Sequence, residues 1–130
     1  MKKNTAMALI SSLVIVLEII PIGVVCLFSD DNGVTIRKTF SYFNLTPYAY
    51  GDFASLITAL LSCLTLILCI VYCLRVRRSI NTAIAIFSLL AAFISVTPII
   101  YDTYTIVGGI ISAGLMTTFT LSMLEKNRFK

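Results

Sequence analysis

Residues 53–74 read FASLITALLSCLTLILCIVYCL: 22 positions without a charged side chain, closed by Arg75, Arg77 and Arg78. The hydrocarbon core of a bilayer is about 30 Å thick, and an α-helix needs about 20 apolar residues to cross it. Phe53–Leu74 meets that length. Three further stretches do the same: Ala6–Phe28, Ile80–Ile100 and Thr105–Leu124. Together the four cover 86 of 130 residues and hold one charged side chain, Glu18. A soluble domain of this size would show amphipathic helices or short strands, and a spanning β-barrel would alternate over ~10-residue strands. The continuous apolar runs fit neither. They predict a single all-α membrane domain, an antiparallel bundle of four transmembrane helices at about 6–28, 53–74, 80–100 and 105–124, with one long outer loop at 29–52.

Charge distribution sets the expected orientation. Lys2, Lys3, Arg75, Arg77, Arg78, Lys126, Arg128 and Lys130 fall on one side, and Arg37 and Lys38 on the other. Basic residues favour the cytoplasmic side. Both termini and the Arg75–Arg78 turn are therefore expected inside, in a multi-pass protein of the cell membrane, by inference a bacterial inner membrane. The net charge of +4 is thus read as topology, not as nucleic-acid binding. Lys2 and Lys3 could open a secretory signal, but 23 apolar residues exceed the 7–15 of a signal core, and no A-x-A cleavage site follows. The first segment is therefore expected to stay as a helix.

Helix contacts in lipid are made by small and hydroxylated residues. Stripes of these recur at 3- and 4-residue steps: Ala8, Ser11 and Glu18; Ser55, Thr58, Ser62, Thr65 and Cys69; Asn81, Ala85, Ser88, Ala92 and Ser95; Thr105, Gly109, Ala113, Thr117 and Thr120. The steps Gly109-x-x-x-Ala113 and Gly108-x-x-x-Ser112 allow close backbone approach. All four stripes are expected to face inward. Pro21, with Gly23, should kink the first helix by removing one backbone hydrogen bond. Asp52, Ser79, and Asp102 or Thr103 can cap the following three helices.

The loop opens with a turn signal, Asp30-Asp31-Asn32-Gly33, followed by brief alternation over Val34–Phe40. Phe40, Tyr42, Phe43, Tyr48 and Tyr50 then form an aromatic cluster, either an anchor lying in the headgroup region or a lid over the helix mouth. Cys26, Cys63, Cys69 and Cys73 read as reduced, buried small hydrophobes. With no histidine in the chain, no metal or cofactor is expected.

Glu18 is the candidate site. A charge at the bilayer centre costs roughly 3 kcal/mol on insertion scales, and intramembrane carboxyls are functional hypotheses by default. At its depth lie Ser62 and Thr65, Ser88, and Ala113 to Thr117, so the proton or ligand site would comprise Glu18, Ser62, Thr65, Ser88 and Thr117. Without a cationic partner Glu18 is expected neutral, donating to a hydroxyl or to a carbonyl near Pro21.

Small multidrug transporters share the helix count and a first-helix glutamate, but this chain lacks their tryptophan and their glycine-rich third helix. Claudin-like proteins share the layout, but the tryptophan and paired loop cysteines are missing. The stretch Phe40-Ser-Tyr-Phe-Asn-Leu-Thr-Pro-Tyr-Ala-Tyr50, running into Phe53, resembles uncharacterised small four-helix membrane proteins of Gram-positive bacteria, which implies location and topology only. The expected role is non-enzymatic: a structural or accessory protein working through helix contacts, as a homo-oligomer or within a larger membrane complex. The alternative is a proton-coupled small-solute transporter using Glu18. With no histidine and no second acid expected to be buried, no acid–base pair is expected.

Overall fold

The computed structural model describes residues 2–45, 53–101 and 104–129. Its principal helices are α1 (Lys3–Ile19), α2 (Ala54–Leu74), α3 (Arg78–Val96) and α4 (Ile106–Lys126), with a two-stranded sheet of β1 (Val24–Ser29) and β2 (Thr35–Phe40) after α1. Helix α1 packs on α2 and α4, and α3 packs on both as well, so the helices form a closed ring. Three helical spans are long and apolar enough to cross a membrane, Ala54–Leu74, Arg78–Ile100 and Ile106–Phe129, which is compatible with a membrane location.

The first helix departs from expectation. It ends at Ile19 instead of running to Phe28. Proline disfavours the helical conformation in the residue before it, and Ile20 is extended at φ −65° and ψ 130°. Pro21 therefore ends the helix rather than kinking it. The β-branched pair Val24-Val25 then continues as strand, pairing antiparallel with Thr39 and Phe40. The turn is Asp30–Gly33: Gly33 N–H donates to the Asp30 carbonyl at 2.8 Å, and Gly33 takes φ 75°, a left-handed value glycine adopts without steric cost. The chain after α1 thus forms a β-hairpin that takes in the end of the segment expected to be helix. Pro98 likewise turns Thr97–Tyr101 into a 3-10 helix.

Two caps differ from expectation. The N-cap of α3 is Arg77, without a side-chain bond, so Ser79 does not cap it. Thr105 caps α4, its Oγ1 accepting from Gly108 N–H. Asp52, Asp102 and Thr103 lie outside the described residues, as do Tyr48 and Tyr50.

Burial is inverted relative to a water-soluble domain. Leu13, Leu60 and Phe93 are each at least 60% exposed, while Ser62, Thr65, Asn81, Ser88, Thr118 and Ser122 are buried. Among lipid tails an exposed leucine carries no penalty and a hydroxyl gains by facing another helix. Apolar packing inside is split in two. One cluster joins Val14, Ala59, Ala91, Ile111 and Leu115 to Val24, Cys26 and Tyr42 of the hairpin region. The other joins Met7, Cys69, Tyr72 and Ile84 near the opposite end.

Candidate functional site

Buried polar groups run through the bundle from end to end. The inward stripe expected on α2 is observed in full: Ser55, Thr58, Ser62, Thr65 and Cys69 are all buried. So is that of α3, with Asn81, Ala85, Ser88, Ala92 and Ser95. On α1, Ser11 and Glu18 are buried and Ala8 half-buried.

On α4 the inward face is turned by about one residue from the expected stripe. Ala113, Thr117 and Thr120 are exposed, and Gly109 is half-buried. Gly108, Ile111, Ser112, Leu115, Thr118, Ser122 and Glu125 are buried instead. Small residues lie on two faces of this helix, so spacing alone could not choose between them. Three contacts choose. Ser95 Oγ and Ser112 Oγ lie 2.7 Å apart. A Cβ on Gly114 would stand 2.6 Å from Val14 Cγ2, so α1 approaches α4 where only glycine fits. Asn81 Nδ2 donates to the Ser122 carbonyl at 2.9 Å, with Ser122 Oγ 2.9 Å from Asn81 Oδ1.

Glu18 is fully buried, and Ser62 Oγ lies 2.5 Å from its Oε2. Ser62 Oγ also lies 2.9 Å from the Ala59 carbonyl oxygen. Among the described residues, Glu18 Oε1 has no hydrogen-bond partner. The rest of the expected ring does not converge on the carboxyl through any hydrogen bond identified. Thr65 donates to the Leu61 carbonyl and Ser88 to the Ala85 carbonyl. Thr117 faces outward and donates to the Ala113 carbonyl at 2.8 Å.

The end of α1 leaves backbone groups to satisfy, because Pro21 has no N–H. Ile20 N–H donates to the Leu17 carbonyl at 3.3 Å, and Tyr42 N–H reaches the Glu18 carbonyl at 3.0 Å. That bond fixes the chain after the hairpin onto the helix holding the carboxyl. Tyr42 is buried, and a Cβ on Gly23 would fall 2.8 Å from its ring. Gly23 thus permits a close aromatic contact instead of a kink. Part of the aromatic cluster is therefore a lid over the bundle end. Beneath it, Ser55, Ser95, Tyr104 and Thr105 border a cavity of about 10 Å³. Among the described residues, Ser55 Oγ, buried there, has no hydrogen-bond partner.

The opposite end carries groups that the sequence reading passed over. Glu125 is buried and pairs with Arg128 at 3.0 Å. Tyr72 is buried, and among the described residues its hydroxyl has no hydrogen-bond partner. Its four-turn spacing after Thr58 was the available signal. Among the cysteines, Cys26 and Cys69 are buried as expected, but Cys63 is half-buried and Cys73 exposed. Among the described residues no group of His, Cys, Asp and Glu could hold a metal ion. No family model, curated protein or solved structure matches the chain.

Proposed function

We propose that this chain is a four-helix membrane bundle with both termini in the cytoplasm, and that it acts as a structural or accessory protein through helix contacts with a second copy or a larger complex. At 17 residues α1 is about 26 Å long, within a few ångströms of the hydrocarbon core. Its exposed Leu9, Leu13 and Val16 match the outer surfaces of the other helices. The eight-to-two split of basic residues supports the orientation.

The observation that carries the role is the outward face of α4. With the interior filled, Ala113, Thr117 and Thr120 remain exposed. In lipid such a small-residue face permits close approach of another helix. The test is cross-linking in membranes, in a variant whose four cysteines are replaced by alanine. Single cysteines at 113 or 117 should give a cross-linked dimer or a defined larger adduct, and one at 13 on α1 should not. If neither α4 position cross-links to anything, the role is refuted.

A second reading, proton-coupled transport of a small solute, is favoured by Glu18 alone. Ser62 has one hydroxyl hydrogen and two acceptors in reach. With a proton on Glu18, the carboxyl donates to Ser62 Oγ and Ser62 donates to Ala59, so both contacts are satisfied. A proton held this way can be exchanged. The 10 Å³ cavity under Tyr42 is at the lower limit for one water, so solute passage would require the lid to open. For this reason the accessory reading ranks first. In proteoliposomes, Glu18→Gln should abolish solute-driven proton flux; equal flux in both proteins rules transport through Glu18 out.

A further inference from the structure

A groove between α3 and α4 opens on the outer surface of the bundle, at the end where Arg78 starts α3 and Lys126 ends α4. Its volume is about 190 Å³. Ile86, Leu89, Phe119 and Met123 form its apolar walls, and Thr82 and Lys126 stand at one end. Thr82 and Leu89, like Phe119 and Lys126, are seven positions apart, so the groove runs about 10 Å along the bundle. One leaflet's hydrocarbon is about 15 Å deep. A helix, about 10 Å across with its side chains, would displace several times this volume over the same length. A single acyl chain is slender enough to be held there.

Charge selects the headgroup. Among the described residues the one ion pair is Glu125–Arg128, which leaves Lys126 without a carboxylate. Arg78 lies one turn before Thr82 on the same helix face, its carbonyl accepting from Thr82 Oγ1 at 3.0 Å. The first turn of α3 contains no acidic residue and no side-chain cap. Arg75, Arg77 and Arg78 therefore crowd a helix end that is already positive, and an anion placed there relieves that repulsion.

The geometry points to a binding site for an anionic phospholipid, with one acyl chain in the α3–α4 groove and its phosphate between Arg78 and Lys126. It rests on the reading of the chain as a membrane protein with this end at the headgroups. Flotation of the full chain with vesicles tests that reading separately, and a chain left at the bottom of the gradient overturns it.

The lipid proposal is read by native mass spectrometry of the full chain released from vesicles of equal phosphatidylglycerol and phosphatidylcholine. Two cations near the surface predict a preference for bound phosphatidylglycerol of roughly tenfold or more. Arg78→Gln with Lys126→Gln should bring the ratio close to one. Lys126→Gln alone, a change at the helix end, should lower it in part. Leu89→Trp, which fills the groove, should lower retention of both lipids, with helix content by circular dichroism as the control for folding. Equal retention by the unaltered chain overturns the proposal, as does a preference untouched by the double variant. Complete displacement of the lipid by millimolar glycerol 3-phosphate would place binding at the arginines alone and overturn the role of the groove.

Discussion

Ser62→Ala should destabilise the bundle more than Glu18→Met. The serine hydroxyl is the hydrogen-bonding partner of the Glu18 side chain, and Glu18 Oε1 already lacks one. Removing the hydroxyl leaves a fully buried carboxyl unsatisfied at both oxygens. Stranding one partner of a buried hydrogen bond costs about 1–3 kcal/mol. Glu18→Met has a different consequence. Ser62 keeps the Ala59 carbonyl at 2.9 Å, so no group is stranded, and an unbranched apolar side chain of similar length replaces the acid. The cost should stay below about 1 kcal/mol.

The double variant Glu18→Met with Ser62→Ala removes both partners, which can be close to neutral. It should therefore be more stable than Ser62→Ala alone, so that adding the second substitution restores stability. Unfolding in mixed micelles, followed by far-ultraviolet circular dichroism with a double-mutant cycle, measures this coupling. If the double variant is no more stable than Ser62→Ala, the two side chains do not act as a pair and the reasoning fails.

Asn81→Ala should cost about 0.6–1.7 kcal/mol per lost interhelical bond in lipid, whereas Thr117→Ala and Thr120→Ala, exposed and bonded within their own helix, should change unfolding by less than about 0.5 kcal/mol; the reverse order would return the α4 face to the one expected from spacing. Gly23→Val places a side chain where the Tyr42 ring now lies. It should displace the lid and raise the reactivity of buried Cys26 toward a maleimide, and an unchanged labelling rate would show that the contact is not needed. Under the proposed topology, an impermeant reagent applied to intact cells should label a cysteine at 45 but none at 77 or 127, and the opposite pattern would invert the orientation.

Much of the interior was legible in the sequence. On α2 and α3 most of the small and hydroxylated residues recur on one face, with Leu, Ile and Phe predominating on the others, so a helical repeat was enough to find the buried side. The hairpin was half legible. Asp30–Gly33 carried the turn and Val34–Phe40 the alternation, but Val24–Phe28 is as apolar as a helix interior, and a short apolar run does not distinguish strand from helix. Pro21 was the deciding residue. A proline is tolerated in a membrane helix only where something re-satisfies the freed backbone. Here the chain turns away instead: Ile20 N–H takes the Leu17 carbonyl that Pro21 cannot reach with a donor, and Tyr42 N–H bonds the Glu18 carbonyl from a distant position.

The sequence by itself determined which segments are apolar enough for lipid, where the basic residues fall, and that Glu18 is the single charge within the four long apolar stretches. These depend on composition and local order along the chain. Tertiary structure decided the rotation of α4, the seating of the hairpin region on α1, and which hydroxyl meets the carboxyl. Each of those depends on a partner far away in the chain: Val14 against Gly114, Asn81 against Ser122, Tyr42 against Glu18 and Gly23. Where a helix carries small residues on two faces, its own sequence leaves the rotation open. Close packing against the neighbouring helices settles it.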